Sequence, residues 1–233
     1  FFTMRLFFVK DFLDLVFPRN CLLCGSSLYD QENNLCTVCK GSLPVTSYHL
    51  RPVDNDLCDK VRGLSNVGMV MAFLKFTKGG NSQKLLHQLK YRNKPQLAKE
   101  LGSMYGKILN DNGFTNYWDI IIPVPLHPLK QSRRGYNQSE QFGLGLSEAL
   151  SVDLVNGLKR EKFTETQTQK SRLQRMDNMD DVFEASNYTI LTGKSILLVD
   201  DVMTTGATMC ACANVLLANG AKNVDLVTIA AGG

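Results

Sequence analysis

Ser195-Ile-Leu-Leu-Val-Asp-Asp-Val-Met-Thr-Thr-Gly-Ala-Thr208 is the stretch that decides how this 233-residue chain is read. Its opening run, Ser195 to Val199, has the apolar composition of a strand buried on both faces. Two acids follow, then a Thr/Gly turn, and Thr208 to Asn219 reads as a helix closed by Gly220. A strand end that passes straight into a helix start gathers several N–H groups about one point, where hydrogen bonds and the helix dipole favour phosphate. Thr204, Thr205 and Thr208 add hydroxyl donors there, and Gly206 lets the backbone approach closely. Asp200 and Asp201 cannot hold a phosphate, but they can accept hydrogen bonds from vicinal sugar hydroxyls or help position a divalent cation. The joint implication is a ribose 5-phosphate. Competing phosphate motifs fail: no G-x-G-x-x-G follows a strand, and Gly193-Lys194-Ser195 precedes its strand and has Tyr188 where a P-loop needs its first glycine.

Working outward, Val67–Phe76, Asp119–Val124 and Val224–Ala230 read as strands, and Asp153–Val155 as the start of another. Ser82–Tyr91, Gln96–Leu109 and Ser139–Leu150 read as helices. This alternation predicts an α/β domain with a mainly parallel sheet flanked by helices. Lys159 to Asn187 reads as a long polar loop with a helix at Ser171–Met176, and loops of that length in a compact domain are usually functional. The chain is 44% hydrophobic and 21% charged, enough to bury a core and too apolar for a disordered chain. No run reaches the roughly 18 apolar residues of a membrane helix, so no stable membrane insertion is expected.

Cys21-x-x-Cys24 and Cys36-x-x-Cys39 are two knuckle-like pairs that can offer four thiolates in a tetrahedron. The spacing predicts a structural Zn2+, because an all-cysteine site leaves no open position for catalysis. Redox chemistry or unligated thiols are the alternatives. Cys210 and Cys212 fit an apolar core, and Cys58 carries no signal. Pro44 to Asp59 is polar and linker-like, so residues 1–59 are expected to form a helix-plus-zinc-ribbon module and residues 60–233 the main domain. Leu6, Val9, Phe12, Leu13 and Val16 recur at helical spacing before Pro18. That segment lacks a small-residue cleavage site, Met4 reads as the natural start, and a cytoplasmic location is expected.

The Asp-Asp/Thr-Thr-Gly block resembles the phosphoribosyl pyrophosphate (PRPP) loop of type I phosphoribosyltransferases. More of the chain adds to the likeness: the cysteine quartet, Pro123-Val-Pro-Leu-His-Pro128, Arg133-Arg-Gly-Tyr-Asn-Gln138, and Gln167 to Arg175 followed by Asn178 and Phe183. Together they resemble the ComF family, which is tied to bacterial natural competence and DNA uptake. The resemblance implies a type I phosphoribosyltransferase fold behind a small N-terminal zinc ribbon, with Mg2+ and PRPP bound together. It implies Asp200 and Asp201 as catalytic groups on the ribose hydroxyls, and Val202, Met203, Thr204, Thr205, Gly206, Ala207 and Thr208 as the PRPP-binding run. Pro123, Val124, Pro125 and Leu126, with Arg133 and Arg134, are candidates for the pyrophosphate. Lys170 and Arg172 are further candidates, in a segment where related enzymes carry a mobile flap. The implied chemistry is displacement of pyrophosphate at the anomeric carbon, with the acceptor unspecified. Competence helicases or recombination-mediator proteins are implied partners.

Charge distribution supports a second reading. Residues 61–140 carry 12 Lys/Arg against 4 Asp/Glu, although the whole chain is only +4. Lys84, Lys90, Arg92, Lys94 and Arg134, interleaved with Tyr91 and Tyr136, are of the types that follow single-stranded DNA. A non-catalytic nucleic-acid-binding competence factor and a nucleobase salvage phosphoribosyltransferase are therefore the alternatives. The zinc ribbon argues against the latter. His127, between two prolines, reads as a loop packing residue more readily than as a proton donor.

Overall fold

The computed structural model of the chain describes residues 19–161, 182–186 and 188–232. In chain order its elements are α1 (Thr37–Gly41), a 3-10 turn at Tyr48–Leu50, α2 (Asp56–Val61), β1 (Val70–Lys75), α3 (Asn81–Tyr91), α4 (Pro95–Asp111), β2 (Ile120–Pro123), α5 (Pro128–Arg134), α6 (Gln138–Leu150), β3 (Asp153–Leu154), β4 (Leu158–Glu161), β5 (Val182–Ala185), α7 (Tyr188–Leu191), β6 (Ser195–Met203), α8 (Ala207–Ala218) and β7 (Asn223–Ala231). Five strands make one all-parallel sheet in the order β1-β7-β6-β2-β3. Strand β6 lies near the middle, as its uninterrupted apolar start requires.

Residues from the two faces of β1, β2, β6 and β7 supply two separate cores. Met71, Phe73, Ile121, Leu197, Val199, Val227 and Ile229 pack with Leu85, Leu89, Leu101, Tyr105, Phe142 and Leu146 of α3, α4 and α6. Val70, Ala72, Ile122, Ile196, Leu198 and Leu226 face Leu57, Val61, Leu191, Met209, Ala213 and Leu216 of α2, α7 and α8. Helices α4 and α6 cross so closely that a Cβ on Gly102 would stand 2.1 Å from the Phe142 carbonyl oxygen, and one on Gly145 2.0 Å from that of Lys99. Any side chain there would push the two helices apart.

The structure corrects the sequence reading in four places. Strand β6 does not stop at Val199: it pairs with β7 out to Met203, so both acids stand on the strand itself. Parallel pairing with β7 outweighs the poor strand preference of two aspartates. The Pro123–Gln138 stretch, read as loop and turn, contains the short helix α5. The two ends of the long polar loop form an antiparallel ladder, β4 with β5. The expected helix at Ser171–Met176 lies outside the described residues, as do Lys170, Arg172 and the amphipathic segment before Pro18.

The fourth correction concerns Pro44 to Asp59. Those residues are no free linker. Val45 bridges to Leu74 on strand β1, Leu57 is fully buried, and Asn55 caps α2 while its amide donates to the Val70 carbonyl at 3.1 Å. The apolar side chains involved are few and widely spaced, so no periodicity announces them.

Candidate functional site

The four cysteines converge. All four Sγ atoms lie within 4.8 Å of one another, and Cys24 and Cys36 approach to 3.7 Å. A tetrahedron of thiolates at ordinary zinc–sulfur distances has edges of about 3.8 Å, so the residues fit a structural Zn2+. Knuckle geometry supports this: Gly25 turns with φ +78°, and the Cys36 and Cys39 N–H groups point at the sulfurs of Cys21 and Cys36, each at 3.4 Å. The Ser26 hydroxyl and main chain hold the Cys24 thiol down at about 6. Burial pushes Cys21 up, yet N–H groups of Cys24, Cys36 and Leu23 bring it below the usual thiol value. Burial raises Cys39, which a bound dication would offset. A zinc ion held there would supply the crosslink that this short, loop-rich segment needs.

The second site is a cleft of about 200 Å³ at the C-terminal ends of β2 and β6. That is where open parallel sheets collect ligands. Its walls bring together Val124, Pro125, Leu126, Arg134, Asp200, Asp201, Val202 and Thr208 from the expected residues. Lys90 joins them, although it was expected among the nucleic-acid residues. Lys130, Gln138, Ser139 and Arg160 complete the lining.

A chain of hydrogen bonds sets this geometry. The Leu89 carbonyl, left open near the end of α3, accepts from Tyr136 Oη at 2.6 Å and Gln138 Nε2 at 3.2 Å. These bonds fasten the end of α3 to the start of α6 and deliver Lys90 to the cleft, where Nζ stands 3.1 Å from Asp201 Oδ2. Asn137 caps α6 by accepting from Ser139 N, and its amide donates to the Val124 carbonyl at 3.0 Å. Ser139, held at the helix start, donates through Oγ to Asp200 Oδ1 at 2.8 Å. Asp201 N donates to the same oxygen at 2.7 Å. Burial first, and then the charge of Asp201, push Asp200 up to about 7 against the opposing pull of Ser139, Asp201 N and Lys90.

Other expected residues stand differently. Met203 is buried and ends β6, so its side chain faces the core and only its main chain can serve a ligand. Pro123 is a buried strand residue paired with Val199, and the loop begins one residue later. Thr204, Thr205 and Ala207 are exposed beyond the cleft lining, with Gly206 turning at φ +80°. Among the described residues, no main-chain acceptor takes the N–H groups of Thr204, Thr205 or Gly206. Arg133 is exposed on α5. Lys84, Arg92 and Lys94 are exposed near Tyr91, but Tyr136 is buried and bonded, which withdraws it as a base-stacking face. The His127 carbonyl accepts main-chain bonds from Lys130 and Gln131 at the start of α5.

Sequence reasoning missed Lys130, Ser139 and Arg160. Ser139 directly follows the flagged Arg133–Gln138 run and was within reach. Arg160 had no local signal, because β4 reaches the cleft only through the fold. Two carboxylates fit Mg2+ best when a bound diphosphate supplies most of the oxygens, since that ion usually keeps few protein ligands.

Comparison with known proteins gives two family matches. Residues 87–233 match the family described as "Phosphoribosyl transferase domain", and residues 12–61 match "Double zinc ribbon domain". "Competence protein F" of Haemophilus influenzae is 31% identical over 147 residues, which are 61% of this chain and 64% of that protein. "DNA utilization protein YhgH" of Escherichia coli O157:H7 is 33% identical over 146 residues, 61% of this chain and 63% of that protein. The chain thus matches just under two thirds of the length of these two relatives. "Competence protein ComFC" of Bacillus subtilis is 23% identical over 240 residues, 90% of this chain and 93% of that protein. Among the described residues, no helix is long and apolar enough to cross a membrane.

Proposed function

Because the chain belongs to the phosphoribosyl transferase domain family and its relatives are named for competence and DNA utilization, we propose that it binds PRPP with Mg2+ in the Asp200–Asp201 cleft and acts in DNA uptake. The observation that carries this reading is the gathering of Asp200, Asp201, Thr208, Lys90, Lys130, Arg134 and Arg160 around one cleft at the sheet's C-terminal edge. In this reading Asp200 and Asp201 accept hydrogen bonds from the ribose hydroxyls. The Thr204–Thr208 loop takes the 5-phosphate through main-chain N–H groups and hydroxyls. Lys130, Arg134 and Arg160 balance the diphosphate charge, with bidentate geometry open to the two arginines. Magnesium, when bound, withdraws charge from the leaving diphosphate. Transfer to an acceptor is the finer part of the proposal. It predicts that Mg-PRPP binds and that one member of a panel of nucleobases and amines accelerates pyrophosphate release. Failure of Mg-PRPP to bind zinc-loaded protein would overturn it.

A second reading rests on Lys84, Arg92 and Lys94, which stand exposed near Tyr91, itself 69% exposed. These groups suit a single-stranded DNA backbone with a stacked base. The two readings are compatible. They separate because DNA binding should weaken steeply with salt and survive Asp200→Asn, whereas PRPP binding should not survive that change.

A further inference from the structure

Residue Lys60 lies in the segment matched by the zinc ribbon family and outside the one matched by the transferase family. It sits in α2 and reaches two carbonyl groups more than 140 positions away in the chain. Its ammonium donates to the Thr204 carbonyl at 3.4 Å and to the Gly232 carbonyl, directly after β7. The same helix is anchored beside the loop. Leu57 and Val61 are buried with Met203, Met209 and Cys210, and Asn214 on α8 donates to the Leu64 carbonyl at 3.0 Å. Val61 lies so near the turn that a Cβ on Gly206 would be 2.9 Å from its Cγ1.

We propose that Lys60 is a positioning residue for the Thr204–Thr208 loop, by which the N-terminal segment sets the geometry of the 5-phosphate site. Peptide planarity gives the reason. The Thr204 carbonyl and the Thr205 N–H belong to one rigid plane and point in opposite directions, so a cation that fixes the carbonyl fixes the direction of that N–H as well. The Gly232 carbonyl gives the ammonium a second anchor directly after strand β7, so the side chain is held rather than swinging with the loop. The loop's shape therefore depends on a group outside the strand–turn–helix unit that forms it. The inference rests on the reading of this loop as the 5-phosphate site.

The test titrates zinc-loaded wild type, K60M, K60Q and K60R separately with ribose 5-phosphate and with inorganic pyrophosphate, both with Mg2+. Wild type is expected to bind both. Each neutral variant should lose roughly tenfold or more in ribose 5-phosphate affinity, the scale of one charge-assisted hydrogen bond, and keep pyrophosphate affinity within about threefold. K60R should recover most of the loss. Equal weakening for both ligands would make Lys60 a general structural residue and overturn the inference, as would unchanged ribose 5-phosphate binding in a folded K60M or K60Q. Wild type that binds neither ligand would overturn the PRPP reading itself, and this inference with it.

Discussion

Ser139 Oγ stands 2.8 Å from Asp200 Oδ1 and donates to it, linking the start of α6 to the acidic end of β6. That bond and the Asp201 N–H oppose the burial and like charge that push Asp200 up to about 7 from an ordinary value of 3.8. The folded state therefore keeps a proton that the unfolded chain gives up near pH 4. Linkage fixes the sign: the contribution of Asp200 to stability is fully present below about pH 4 and is lost as the pH rises through about 7. Asp200→Asn should remove this dependence and be more stable than wild type above pH 7 in the absence of ligand. Thermal unfolding of both proteins from pH 5 to 8.5 checks it, and a difference that does not change with pH would sink the argument.

Zinc removal should unfold more than the ribbon. Cys21, Leu35, Cys39 and Leu43 share one apolar cluster with Phe73, Leu85, Leu97 and Tyr105, so the knuckles are part of the core on that face of the sheet. Chelation by a strong ligand is expected to release about one equivalent of zinc and to lower the main thermal transition. A small early transition with the main one unmoved would show the ribbon to be energetically separate.

Glu100 on α4 is the polar counterpart of that contact. It accepts from Asn34 N at 3.1 Å and Asn34 Nδ2 at 2.9 Å, and pairs with Lys40 Nζ at 2.6 Å. Its side chain is only 11% exposed. Glu100→Ala leaves these donors without their acceptor and is expected to cost about 2 kcal/mol in denaturant unfolding. Lys40→Ala, which leaves the Asn34 bonds in place, should cost less.

Gly206→Ala tests the loop from the other side. At φ +80° an alanine is strained, and its Cβ would press on Val61 Cγ1 at 2.9 Å. The expected cost is about 1–2 kcal/mol of stability together with weaker ribose 5-phosphate binding. Recovery of part of both by adding Val61→Ala would identify the Val61 contact as a source of the cost.

Legibility in the sequence follows whether a feature is local. Ser195 to Thr208 is a strand, a turn and a helix start in unbroken order, so its residue types alone indicate the order of these elements. The four cysteines are local in the same sense. Lys90 and Arg160 are not: one reaches the cleft because Tyr136 and Gln138 bond the Leu89 carbonyl, the other because β4 pairs with β5. Neither relation leaves a periodic trace. Lys60 is the extreme case, since its partners, Thr204 and Gly232, lie in the turn after β6 and directly after β7, 144 and 172 positions along the chain. The strand end at Asp200–Met203 was hidden for a different reason. Charged residues lower strand preference locally, and pairing with Thr228, Ala230 and Ala231 overrides it.

The most direct test of PRPP binding is a calorimetric titration of Mg-PRPP into zinc-loaded wild type and Asp200→Asn at pH 8, where the wild-type carboxyl is largely ionised. PRPP binding at the Asp200–Asp201 cleft requires one saturable site per chain in wild type and its loss in a folded Asp200→Asn protein. No heat and no saturation in wild type, or equal binding by both proteins, would contradict it.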